Sequence, residues 1–259
     1  MLLSQLMLNG KFQVMRFVNY LGQSCLSCPK LCPFGLLIAL SVIGCRPSYF
    51  QKNEPFALQS GDLLFQDVDC GPLCDAIEKV TTGYRGAAFS HIGIAAEDAN
   101  GNFQAIEALS GGVTATPLQT FLDRSLDSQC RPKIVVGRLK PPFRHLIPLA
   151  VREALALKDK PYDKLFAVDN DSYYCSELIY EIFLRANGNK PLFTLQPMTF
   201  NDPDTGLTLL TWQDYFSKLG VPVPQGRPGI NPGAISRSPV LNIVYSYGIP
   251  DGWKKKYPD

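Results

Sequence analysis

Three residues of this 259-residue chain have the types and surroundings of a nucleophilic catalytic set: Cys175, His91 and Glu107. A thiol becomes a strong nucleophile only when something removes its proton, and histidine is the usual agent. The chain has just two histidines, His91 and His145. His91 opens an apolar, strand-like stretch at 90–96 (SHIGIAA), where Gly93 and Ala95 share its face and leave space over an imidazole. His145 follows Pro142, Phe143 and Arg144 at a helix start and reads as a cap or surface residue. A catalytic histidine needs a third group to fix its tautomer. Glu107 stands alone among the apolar residues of 103–109 (FQAIEAL), where a carboxylate is unfavourable unless paired. A buried structural cysteine and a solvated edge-strand glutamate are the plain alternatives for these two positions.

The elements that carry these residues follow from spacing. Tyr174, Leu178, Ile179, Ile182, Phe183 and Ala186 form a helical apolar stripe, with Asp171 or Ser172 as the cap and Asn187-Gly188 as the stop. Cys175 then falls in the first turn, where unpaired N–H groups and the helix dipole favour a thiolate. The stretches 90–96 and 103–109 read as a hairpin around Asn100-Gly101. A two-residue turn there would put His91 and Glu107 on opposite faces of the sheet. A five-residue loop over 97–101 would set them directly across from one another, so a Cys–His–Glu set requires an odd-length loop or a bulge. Further strands are expected at 62–65 (DLLF) and 133–139 (KIVVGRL), with helices at 74–81 and 145–157. Beyond Leu219 the chain is rich in Pro and Gly and reads as an extended surface wrap. The order of strands and then helices indicates an α+β domain with a mostly antiparallel sheet.

Composition narrows the function. A net charge of +2 gives no support to nucleic-acid binding, and two histidines argue against a multi-histidine metal site. No cofactor is expected. The first acidic residue is Glu54; before it come Lys11, Arg16, Lys30 and a short apolar run at 34–43, too short to span a bilayer. That run ends in Gly44-Cys45, the arrangement of a bacterial lipoprotein signal. The expected organisation is a signal at 1–44, a tether at 45–59 beginning with lipid-bearing Cys45, and a catalytic domain at 60–259. Cys25, Cys28 and Cys32 leave with the signal on this reading, and the protein is held to the cell envelope through lipid. One pair among Cys70, Cys74 and Cys130 can bridge in an oxidising compartment, but spacing does not choose the pair.

The motifs 60–65 (SGDLLF), 90–94 (SHIGI), Glu107-Ala108 and 174–178 (YCSEL) resemble the YaeF/YiiX group of permuted papain-like amidases in the NlpC superfamily. So do Pro161-Tyr162-Asp163, Asn231-Pro232-Gly233 and Ser238-Pro239; the likeness runs from about residue 60 to 248. The resemblance implies a circularly permuted papain-like fold in which histidine and glutamate precede the cysteine. It implies Cys175 as nucleophile, His91 as base and acid, and Glu107 as orienting carboxylate. The Cys175 N–H is then part of an oxyanion hole, with Tyr162 or Tyr174 as a further donor or an aromatic wall. The implied activity is hydrolysis of a peptide or amino-acid amide through a thioester. The alternatives are an acyltransferase or lipid-ester hydrolase on the same residues, or a non-catalytic envelope binding protein.

Overall fold

The computed structural model describes residues 56–254. The expected signal, the lipid-bearing Cys45 and most of the tether lie outside the described residues.

The elements follow in chain order. They are β1 (Leu63–Gln66), α1 (Pro72–Val80), β2 (His91–Glu97), β3 (Phe103–Leu109), β4 (Gly112–Pro117) and α2 (Leu118–Leu122). Next come β5 (Ile134–Leu139), α3 (Ile147–Ala156), α4 (Cys175–Ala186), β6 (Gln196–Pro197), α5 (Leu210–Leu219), β7 (Pro228–Gly229), α6 (Pro232–Ser236) and β8 (Leu241–Ser246). Six strands form one sheet in the order β4-β3-β2-β1-β5-β8, with every neighbouring pair antiparallel. The α+β class expected from the sequence is the one observed.

The central strands are covered on both faces, which is why their sequences are unbroken apolar runs. One face presents Leu63, Phe65, Ile92, Ile94 and Ile106 to Leu178, Ile179, Ile182 and Phe183 of α4. The other presents Leu64, Ala95, Ala105, Ile134 and Val136 to Phe121 and Leu122 of α2. A third cluster joins Ala76 of α1 to Trp212 and Phe216 of α5.

The β2–β3 loop has the odd length that the catalytic set requires, but it is displaced by one residue. It runs over residues 98–102, and Asp98 Oδ1 shapes it by accepting N–H bonds from Asn100 and Asn102 at 2.8 Å each. Ile94 therefore pairs with Ile106 and Ala95 with Ala105. Continuing that register sets Glu107 opposite Gly93, so Glu107 shares a face with His91 but lies diagonal to it, not directly across.

Two other expectations are corrected. The cap of α4 is Tyr174, not Asp171 or Ser172. The Ser172 hydroxyl is bonded to Asn170 Oδ1 and the Asp171 carboxylate to Lys160 Nζ, so neither opens the helix. The region after Leu219 is more than a wrap, because it contains α6 and the edge strand β8, paired with β5 through a register shift between Val136 and Gly137. Proline and glycine fill only its first half; 241–246 (LNIVYS) is strand-forming.

Candidate active site

Cys175 is the first residue of α4 and is buried. As the first residue its N–H has no acceptor within the helix, and it sits at the positive end of the dipole. His91 is the first residue of β2, so its ring stands at the strand end, where the two faces of the sheet meet. There His91 Nε2 meets Glu107 Oε2 at 2.5 Å, and the Cys175 sulfur is near enough to act on the ring. With Nε2 committed to the carboxylate, Nδ1 is the nitrogen left for sulfur. Burial alone would lower the His91 pKa. The hydrogen bonds and negative charge of Cys175 and Glu107 outweigh it and push the group up to about 9.

Glu107 is fully buried, and burial alone would raise its pKa. Hydrogen bonds from Arg124 and His91 reverse that and hold it down at about 2. Arg124 and Thr116 are functional candidates that the sequence reading missed. Arg124 donates to both carboxylate oxygens, from Nη1 at 2.8 Å and Nη2 at 2.7 Å, and Thr116 Oγ1 donates to Oε1 at 2.5 Å. The guanidinium lies over the Phe121 ring at 5.1 Å. Gln66 donates to the Phe121 carbonyl at 2.8 Å and braces the same corner. The available signal was the buried acid itself, which demands a cation, but only the α2 turn says which one. The second histidine, His145, lies on the surface, bonded through Nδ1 to the Pro142 carbonyl at 2.9 Å.

Glu177, two residues after the sulfur, is buried, and that burial pushes its pKa up to about 9. One of its oxygens accepts the Tyr174 N–H at 3.2 Å. It is therefore neutral near pH 7 and does not compete with the sulfur for the positive helix end.

Tyr174 and Tyr162 both line a cavity of about 880 Å³ that also takes in Cys175, His91 and Arg124. The Tyr174 hydroxyl accepts the Ile230 N–H at 3.1 Å, so it anchors the chain before α6. The Tyr162 hydroxyl pKa is raised, first by burial and then by the negative charge of Cys175. The remaining wall is mostly apolar, with Leu73, Ile77, Phe166, Met198, Trp212 and Tyr215 among its residues.

Cys70 and Cys74 form a disulfide at the start of α1 and also line the cavity, which settles the pairing that spacing left open. Cys130 is exposed. Asp67, Asp69 and Asp251 have a spacing that could hold a metal ion. The Lys133 ammonium lies 3.0, 2.7 and 3.4 Å from their oxygens and supplies the positive charge at that place. The donor set thus fits an ammonium.

Comparison with known proteins identifies a family for the chain. A family model described as "Permuted papain-like amidase enzyme, YaeF/YiiX, C92 family" matches residues 57–245, a span that includes His91, Glu107 and Cys175. No match was found among curated proteins. Among solved structures, the crystal structure of metalloprotein YiiX from Escherichia coli O157:H7 matches with a TM-score of 0.61 and 24% identity. The match covers 74% of this chain and 98% of that one. The helix bearing the cysteine follows the strands bearing histidine and glutamate, which is the permuted order, and the chain belongs to the YaeF/YiiX family of permuted papain-like amidases.

Proposed function

We propose that the protein is a cysteine hydrolase that cleaves an amide through a thioester at Cys175. The reading rests on one observation above the others: a buried imidazole bonded to Glu107 and set beside a sulfur at a helix N-terminus. The thiolate attacks the carbonyl carbon and its electron pair moves to oxygen. The Cys175 N–H faces that oxyanion, and Tyr162 stands on the same cavity wall as a candidate second donor. The His91 imidazolium gives its proton to the leaving amine as the C–N bond breaks. His91, now neutral, takes a proton from water, which attacks the thioester and releases the acid and the thiolate. Glu107 stays ionised throughout and keeps the ring oriented.

The experiment is intact-mass analysis after incubation with peptide amides and N-acyl amides. An acyl adduct on Cys175 is expected. Absence of any adduct, together with no iodoacetamide labelling of Cys175 near neutral pH, would instead favour a non-catalytic binding protein.

The mostly apolar cavity supports a second reading, in which the acyl group is that of a lipid and the acceptor is another amphiphile or water. The thioester is common to both readings, and the acceptor tells them apart. We further infer that the mature chain begins at a lipid-modified Cys45 in the bacterial envelope. Intact mass of membrane-extracted protein tests this, and an unprocessed chain with a free Cys45 thiol would overturn it.

A further inference from the structure

The residues around the cavity carry charge of one sign. Besides the His91 imidazolium, Arg124, Lys164, Lys218 and Arg237 line it, and among the described residues no Asp or Glu does. Arg124 is fully engaged by Glu107, which in turn faces His91, Thr116 and Arg124. The other three have no ion-pair partner among the described residues. Lys164 and Lys218 are both exposed, and Tyr215 links the two segments that carry them. The Tyr215 hydroxyl donates to the Lys164 carbonyl at 3.0 Å, and Lys218 lies three residues on along α5, on the same helix face. Asp163, next to Lys164, is buried and accepts the Leu165 and Ala167 N–H groups at 2.7 and 2.6 Å. It is absent from the cavity wall, as is Asp214, one turn before Lys218.

This charge pattern bears on substrate. A free amino acid or its amide carries an ammonium group, which in a site of this kind needs a carboxylate to receive it. The wall offers none. We propose that the substrate is an acidic amphiphile, with its apolar portion in the cavity and a carboxylate or phosphate group against Lys164 and Lys218. The proposal deepens the amide-hydrolase reading and rests on it for the identity of the site as an active site. Charge-assisted hydrogen bonds from two ammonium groups suffice for discrimination between an acid and its neutral isostere of about tenfold or more.

The test separates binding from turnover. Binding of the α-amides of N-acylglutamate, N-acylglutamine and N-acyllysine, which are anionic, neutral and cationic, and of N-acylphosphoethanolamine, all of one chain length, is measured by calorimetry on full-length Cys175→Ala protein. The expected order places glutamate or phosphoethanolamine about tenfold tighter than glutamine, with lysine weakest. Whichever of the two acids binds tighter identifies carboxylate or phosphate as the preferred group. In Lys164→Gln/Lys218→Gln the ratio of acid to neutral affinity falls toward one. Equal affinities, a preference for lysine, or an unchanged ratio in the double variant would overturn the proposal. Turnover of the same compounds is then measured on the wild-type protein. If acids bind selectively but none is cleaved and Cys175 is never acylated, the hydrolase reading fails while the acid subsite stands.

Discussion

Glu177→Gln should gain stability relative to the wild type as pH rises. The carboxyl group has an ordinary value of 4.5 in an open chain and is pushed up to about 9 by burial in α4. The sign follows from linkage: the folded state binds the proton that the unfolded state releases, so wild-type stability is highest below pH 4.5. It is lost progressively as pH rises toward 9. Between those limits each pH unit removes about 1.4 kcal/mol, which amounts to about 3 kcal/mol at pH 7. Glutamine removes the ionisation and keeps an oxygen to accept the Tyr174 N–H. Its amide adds two buried donors, at a cost of roughly 1–3 kcal/mol if both lack partners, but that offset does not vary with pH. The decisive quantity is therefore the slope. Urea unfolding of wild type and Glu177→Gln at pH 5, 6, 7 and 8 should show midpoints that separate steadily. With a slope of roughly 2 kcal/mol per molar, the change in separation from pH 5 to pH 7 is about 1.4 M. A separation constant from pH 5 to pH 8 would refute the argument that this glutamate is neutral.

Other outcomes follow from the same geometry. Cys175→Ala and His91→Ala should each remove at least about a thousandfold of turnover while far-UV circular dichroism is unchanged, and Glu107→Gln should cost less activity than either. Glu107→Gln should nonetheless lower stability by about 3 kcal/mol at pH 7, because it strands the Arg124 guanidinium. Glu107 is held at about 2, so its contribution is present above pH 4.5 and lost as pH falls toward 2. The acid-unfolding slope should therefore flatten in the variant. By NMR, His91 should remain an imidazolium at pH 7.5 and titrate near 9; the stabilisation tied to that charge is complete below pH 6.5 and disappears as pH rises through 9. Cys175→Ala should lower that midpoint, since the sulfur is the foremost of the causes that raise it. Gly112→Ala should drop the Tm by about 5 °C or more, since φ is 111° there and a Cβ would stand 2.5 Å from the Lys160 carbonyl oxygen.

The parts of the fold that could be read in advance were those with strong local signals. The apolar stripe from Tyr174 to Ala186 located α4, and the mostly apolar run around Glu107 located β3. What was misplaced depended on interactions distant in sequence or on loop chemistry. The register of β2 and β3 is set by Asp98 folding the loop onto itself, and neither strand encodes that. The edge strand β8 depends on β5, some hundred residues earlier, for its pairing. Arg124 shows the limit most clearly. Nothing in its own neighbourhood, FLDRSLD, marks it as the partner of a carboxylate on β3. Only the packing of Phe121 against the sheet swings it there. The Tyr174 hydroxyl accepts a backbone N–H from a segment that arrives more than fifty residues later, a contact that its place beside Cys175 does not announce.

Glu107 accepts four hydrogen bonds, as many as an ionised carboxylate has lone-pair positions. It has no capacity left to take on a proton, so proton traffic ends at the imidazole. In the thiolate–imidazolium form that the proposed mechanism uses, the charges of Cys175, His91, Glu107 and Arg124 cancel. The catalytic centre then exerts little field beyond itself, and an approaching solute is guided by the lysines and arginine at the rim. Dissolved salt should therefore weaken capture of a charged solute while leaving the bond-breaking steps nearly untouched.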